Sequence, residues 1–261
     1  MDASLNYLLH LADDALVLGQ RNAEWCGHGP VIEEDIAMAN ISLDLIGQAR
    51  LLYQHAATRL GHGVDEDRLA YFRDAPQFLN LTLVELPHSH LLVPGGVGER
   101  DYATTLVRHF LYSAFSLLRW DSLCNSQDAD LAAIAAKSVK ELRYHLRHAR
   151  GWLVRLGDGT EISHARMQAA LDHLMPFTQE FWTASADEQA ALASGLIPCV
   201  AADWQSDWDQ LVDDALLEST LQRPSAIGHV SQGKSCVHSE HLSYLLADMQ
   251  SLARAHPGAT W

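Results

Sequence analysis

Residues 137–148 read KSVKELRYHLRH, and one spacing within them bears on metal chemistry. Residues three apart on a helix are neighbours on its surface, so Glu-x-x-His can present a carboxylate and an imidazole to one metal ion. Here the residue three after Glu141 is Tyr144, and the histidine comes one place later, as His145. Lys137, Glu141 and His145 recur every four residues. Asn40, Asp44 and Gln48 make a second such row, set among Ile41, Leu43, Leu45 and Ile46, and the residue three after Asp44 is Gly47. Such a row is either a solvated face or a polar cluster in the middle of a helical bundle, where facing helices build metal sites. The length of both segments and the apolar setting of Asp44 favour the cluster.

A carboxylate-bridged pair of iron ions takes one Glu from each of two helices and Glu-x-x-His from each of two others. Asp44-x-x-Gly47 and Glu141-x-x-Tyr144 lack both histidines, and YATTLVRHFLYSAFSLLRW (102–120) has no carboxylate along its middle. A full ligand set cannot be assembled from these positions. The expectation is a metal-free remnant in which Lys137, one turn before Glu141, supplies the charge a metal would bring. No catalytic or cofactor-binding residue is assigned. Two other Glu-x-x-His matches have local explanations. Glu85–His88 contains the helix breaker Pro87, and Glu161–His164 opens a helix, where Glu suits the macrodipole.

The elements that must position these residues are long helices. Glycines and prolines cluster, and the segments between them are helix-periodic. Helices are expected over about 5–25, then from Pro30 through the acidic Glu33, Glu34 and Asp35 to about residue 60, some 45 Å at 1.5 Å per residue. Residues 65–98 are less regular. Helices follow over 99–125 and 128–156, joined so tightly that they must be antiparallel neighbours. Others cover 161–182 with a kink at Pro176, 201–219, and 238–255. No alternating strands, internal repeat or low-complexity linker is present. The fold class is therefore all-α, residues 1–261 forming one domain with a four-helix core and peripheral helices.

Composition narrows function from another side. The 261 residues carry a net charge of −15, with 18 basic against 33 acidic side chains, which disfavours nucleic acid and anionic membranes as partners. No apolar run approaches the roughly 18 residues of a membrane span. MDASLNYLLHLADD has no basic leader, and the four cysteines are dispersed, so a cytoplasmic protein is expected. Arg143, Arg147 and Arg150 share one helix face. They form either a docking face for a partner or intrachain pairs with acidic stretches such as Asp13–Asp14 or Glu33–Asp35.

Residues 228–235, GHVSQGKS, match the phosphate-loop pattern GxxxxGK[ST]. That motif works between a β-strand and a helix, whereas LESTLQRPSAI precedes it here and no βαβ pattern occurs. Gly228 and Gly233 are better read as turn residues, and nucleotide binding is a remote alternative. In HSEHL (238–242), Ser239 and Glu240 fit the start of the last helix, with an interface or substrate contact as the other reading of its histidines.

EWCGHGP (24–30), ANISLDLIGQAR (39–50), KSVKELRYHLRHARGWLVRLGDGT (137–160) and HSEHL together resemble the PaaC-type subunit of bacterial phenylacetyl-CoA epoxidase, over nearly the whole chain to Trp261. GHVSQGKSCV is an unusual lead-in to the last of these segments. The resemblance implies a ferritin-like fold and a structural, metal-free subunit without a cofactor of its own. It would pair with a PaaA-type catalytic subunit that holds two irons and epoxidises the ring of phenylacetyl-CoA, with oxygen and electrons from a reductase subunit. The alternative of a self-sufficient di-iron oxygenase requires ligands outside the expected positions.

Overall fold

The structure is a computed structural model and describes residues 3–61, 63–89, 99–225 and 230–259. Within those residues the regular elements are helices, with one isolated antiparallel bridge between Gln232 and Val237. The first compact unit, Met1–Leu86 with Gln232–Trp261, begins with α1 (Ala3–Ala23), α2 (Ile32–Leu60), α3 (Glu66–Tyr71) and α4 (Thr82–Glu85). The second, Pro87–Ser231, contains α5 (Tyr102–Leu123), α6 (Ala129–Gly157), α7 (Glu161–Leu174), α8 (Gln179–Trp182), α9 (Ala186–Ala193) and α10 (Gln205–Glu218). The chain then returns to the first unit with α11 (Glu240–Ala255).

In the first unit α1 and α2 pack along their length. Ile41, Leu45 and Leu52 of α2 and Leu8, Leu11 and Leu18 of α1 are fully or almost fully buried. Gly19 permits the close approach, since a Cβ there would lie 3.1 Å from Ile46 Cγ1 and 3.3 Å from the Ser42 carbonyl. The turn between the helices is tied to the second one. The Asp35 carboxylate accepts from the Gly29 N–H at 3.0 Å and the Gly27 N–H at 3.2 Å, and these bonds hold its pKa below the ordinary value.

In the second unit α5 and α6 are joined by five residues and lie antiparallel. Their starts are set by side-chain caps. Asp101 accepts from the Ala103 N–H, and Asp128 from the N–H groups of Asp130 and Leu131, all at 3.0 Å. The cap at Asp101 explains why α5 begins at Tyr102 rather than at the expected residue 99. Beneath α5 sits an aromatic cluster: Phe115 stacks on Phe181 at 4.3 Å, and Trp208 Nε1 donates to the Leu111 carbonyl at 3.1 Å. Pro176 divides the expected 161–182 helix into α7, a 3-10 turn over Met175–Thr178, and α8. Helix α9 is not among the helices expected from periodicity, although Ser185, accepting from the Glu188 N–H at 3.1 Å, is a cap signal. None of the described helices is long and apolar enough to cross a membrane.

Candidate functional site

The two polar rows do not lie along a core face. Four residues advance a helix about 40° beyond one full turn, so an i, i+4, i+8 row winds through about 80°. On α6 Lys137 is exposed, Glu141 half-buried and His145 fully buried. On α2 Asn40 is exposed, Asp44 half-buried and Gln48 buried. Each row thus runs from solvent inward, and an ammonium in water at Lys137 is poorly placed to compensate a buried carboxylate. Tyr144 is 41% exposed, and Gly47 offers no ligand atom at all.

These residues do not fit a carboxylate-bridged di-iron centre. The carboxylate of α5 is Asp121, which is exposed near its C-terminal end. On α1 two buried carboxylates exist, but both are engaged. Asp13 accepts from the Arg73 guanidinium through both oxygens, from the Tyr53 hydroxyl at 2.5 Å and from the Leu79 N–H at 2.8 Å. Asp14 accepts from the Leu81 N–H at 2.8 Å. Burial lowers the Arg73 pKa, yet Asp13 and Tyr53 outweigh it and the guanidinium is held charged. In place of a ligand set, α5 and α6 bring the His109 and His145 rings together, centroids 5.5 Å apart. Burial first, then His145, His148 and Arg108, push the His109 pKa well below the usual value, so it is neutral at pH 7.

A second buried network organises the last helix. Glu85, fully buried at the end of α4, accepts from the Ser239 N–H at 2.6 Å and from the Asn80 side chain at 2.8 Å. His238 Nδ1 lies 2.8 Å from Glu85 Oε2 and its Nε2 lies 2.8 Å from the Phe78 carbonyl. Glu85 as carboxylate and the Phe78 carbonyl can both accept only from the imidazolium, the form that the raised pKa favours. Burial would lower the His238 pKa, but the hydrogen bond and charge of Glu85 outweigh it and the pKa is raised. Helix α4 does end before Pro87, as the Glu85–His88 spacing led one to expect, but nothing in that spacing signals this use of Glu85. The HSEHL histidines are therefore structural on the His238 side, while Ser239 is the N-cap residue by backbone but makes no side-chain cap bond.

The raised pKa has a consequence for stability. The contribution of His238 is complete below its unfolded pKa of about 6.5 and is lost as pH rises through the higher folded value. The melting temperature of the wild type is expected to fall relative to that of His238→Gln as pH rises above about 6.5. A pH-independent difference between the two would contradict the imidazolium assignment.

The arginine face resolves into separate roles. Arg143 meets Asp121 at 3.5 Å and Arg150 meets Glu218 at 2.5 Å, in place of the acidic stretches expected from the sequence. Asp13, Asp14 and Asp35 are committed to the groups named above. Arg147 lies over the Tyr144 ring, 5.7 Å from its centre, with no carboxylate partner among the described residues.

The phosphate-loop lookalike has the wrong frame. Gly228 falls outside the described residues. Gly233–Ser235 is a single 3-10 turn, and Cys236 after it is left-handed at φ 63°, so the lysine does not open a helix. Gly233 is buried, and a Cβ there would collide with the Asn80 carbonyl and lie 2.8 Å from the Thr82 nitrogen. This glycine serves backbone packing.

Two comparisons bear on identity. The family described as "Phenylacetic acid catabolic protein" matches residues 1–261. The C subunit of the 1,2-phenylacetyl-CoA epoxidase of Escherichia coli (strain K12) is 43% identical over 256 residues, covering 98% of this chain and 98% of that protein.

Proposed function

Since the chain belongs to the phenylacetic acid catabolic protein family, all-α and ferritin-like in fold, we propose that it is a subunit of a phenylacetyl-CoA epoxidase. In this reading it is the non-catalytic, metal-free subunit, acting in the cytoplasm. It supports a related di-iron subunit that epoxidises the aromatic ring with electrons from a reductase subunit. The observation that carries the reading is the state of the ligand positions. Gly47 and a half-exposed Tyr144 occupy the places three after Asp44 and Glu141 where the Glu-x-x-His pattern has histidines, and the buried carboxylates of α1 are engaged by protein donors.

A chain without chemistry of its own acts through contact, so its partner must bind a surface the fold leaves open. Arg147 belongs to that surface in this reading, because Arg143 and Arg150 are spent on Asp121 and Glu218. The test is to express this chain and the catalytic subunit separately and together under high iron, then measure iron per chain, ring epoxidation and co-elution. Expected are iron near zero here, iron in the catalytic subunit, activity only with both, and reduced co-elution for Arg147→Glu. About two irons per purified chain of this protein would overturn the reading.

A further inference from the structure

Helix α2 carries two apolar stripes; packing against α1 buries one and touches the other at Ile46, beside Gly19. The inner stripe, Met38, Ile41, Leu45 and Leu52, is buried. The outer one is Ile32, Ile36, Ala39, Leu43 and Ile46, whose alternating steps of four and three residues are those of a helix-pairing seam. Ile32 is 68% exposed, Ile36 54% and Leu43 66%, with Ala39 and Ile46 half-buried between and beyond them. Val31, half exposed, prolongs the stripe at its start, and exposed Arg50, the next position in register, ends it. The apolar part extends about 21 Å at 1.5 Å per residue, long enough to seat a partner helix.

Gly47 supplies an independent observation at the far end of this seam. A Cβ added to it would meet nothing within 4 Å among the described residues, so neither φ nor their packing calls for glycine there. Glycine in a helix interior is unfavourable relative to alanine, and its absence of side chain lets another backbone come close. Apolar exposure and a gap for backbone thus occur on one outer face.

Charge selects the occupant. The seam is flanked by Glu33, Asn40 and Asp44, and the chain carries a net charge of −15. A second copy would bring the same acidic flank and the same net charge, and the two would repel. We propose that this seam is the docking face for an amphipathic helix of the di-iron catalytic subunit, one whose apolar ridge is flanked by lysine or arginine. The proposal rests on the functional reading above and adds to it the surface and the chemistry of the partner.

The experiment uses the full chain with the full catalytic subunit and measures their dissociation constant and the melting temperature of this chain alone. Leu43→Asp and Gly47→Leu each change the seam without touching the buried stripe, and both are expected to leave the melting temperature near the wild-type value. Each is expected to weaken association about tenfold or more. Ile162→Asp, at a 73% exposed apolar residue of α7, is the control and leaves association unchanged. Raising salt weakens the wild-type complex, as flanking charge pairs require. If both seam variants associate like wild type, the docking face is elsewhere and the functional reading survives. If wild type does not bind the catalytic subunit at all, the functional reading fails and the proposal with it. Self-association of wild type that Leu43→Asp abolishes would make the seam a contact between copies and overturn the proposal.

Discussion

Asp13→Ala is expected to lower stability by about 3–5 kcal/mol, the cost of removing one member of a buried ion pair. The carboxylate is fully buried and receives the Arg73 guanidinium, the Tyr53 hydroxyl and the Leu79 N–H. Without it, Arg73 remains in the interior with its planar face over the Phe78 ring, 4.3 Å from the ring centre, and no anion at its edge. A cation there has lost its water and keeps the Leu69 and Gln77 carbonyls, the Tyr53 hydroxyl and a weak quadrupole attraction, but no compensating charge. The Tyr53 hydroxyl and the Leu79 N–H lose their acceptor as well. The double change Asp13→Leu with Arg73→Met removes both charges and is expected to cost less than Asp13→Ala alone. Urea denaturation midpoints measure all three proteins, and a loss under about 1 kcal/mol for Asp13→Ala would show that the pair is not buried as described.

Gly233→Ala is expected to cost about 1–3 kcal/mol through overpacking. The atoms that a new Cβ would meet, the Asn80 carbonyl and the Thr82 nitrogen, are backbone. They cannot readily recede, because the Leu81 N–H is held by Asp14 and the Asn80 side chain by Glu85. The same glycine in a phosphate loop would be needed for its ligand, and magnesium–ATP would then raise the melting temperature by mass action. The structural role predicts a clear loss of stability for Gly233→Ala and no thermal shift with nucleotide. A shift with nucleotide and an unaltered variant stability would reverse that assignment.

The first prediction concerns a residue whose partners the linear pattern leaves inconspicuous. Asp13 reads as one acidic residue in an ADDA stretch, and its partner Arg73 follows 60 positions later in an irregular segment. Glu85 and His238 stand 153 positions apart. A helix announces its own period within a few residues, whereas a hydrogen bond across such separations depends on how whole elements pack. GHVSQGKS shows the reverse case: eight residues match a functional pattern, but among the described residues no strand precedes it and its lysine lies in a single 3-10 turn.

The sequence by itself determined the helical class and most helix boundaries. The helix start at Asp128 and the break at Pro176 are local facts, and local chemistry suffices to read them. Tertiary structure alone decided which polar residues are inside. The rows Asn40–Asp44–Gln48 and Lys137–Glu141–His145 are equally regular in sequence, yet each turns from water to core along its length. The helix period sets the angle between residues, but only the neighbouring elements set where that angle is measured from. For the same reason the outer seam of α2 is legible as apolar from its residues, and its exposure is known only once the other face is seen to be taken.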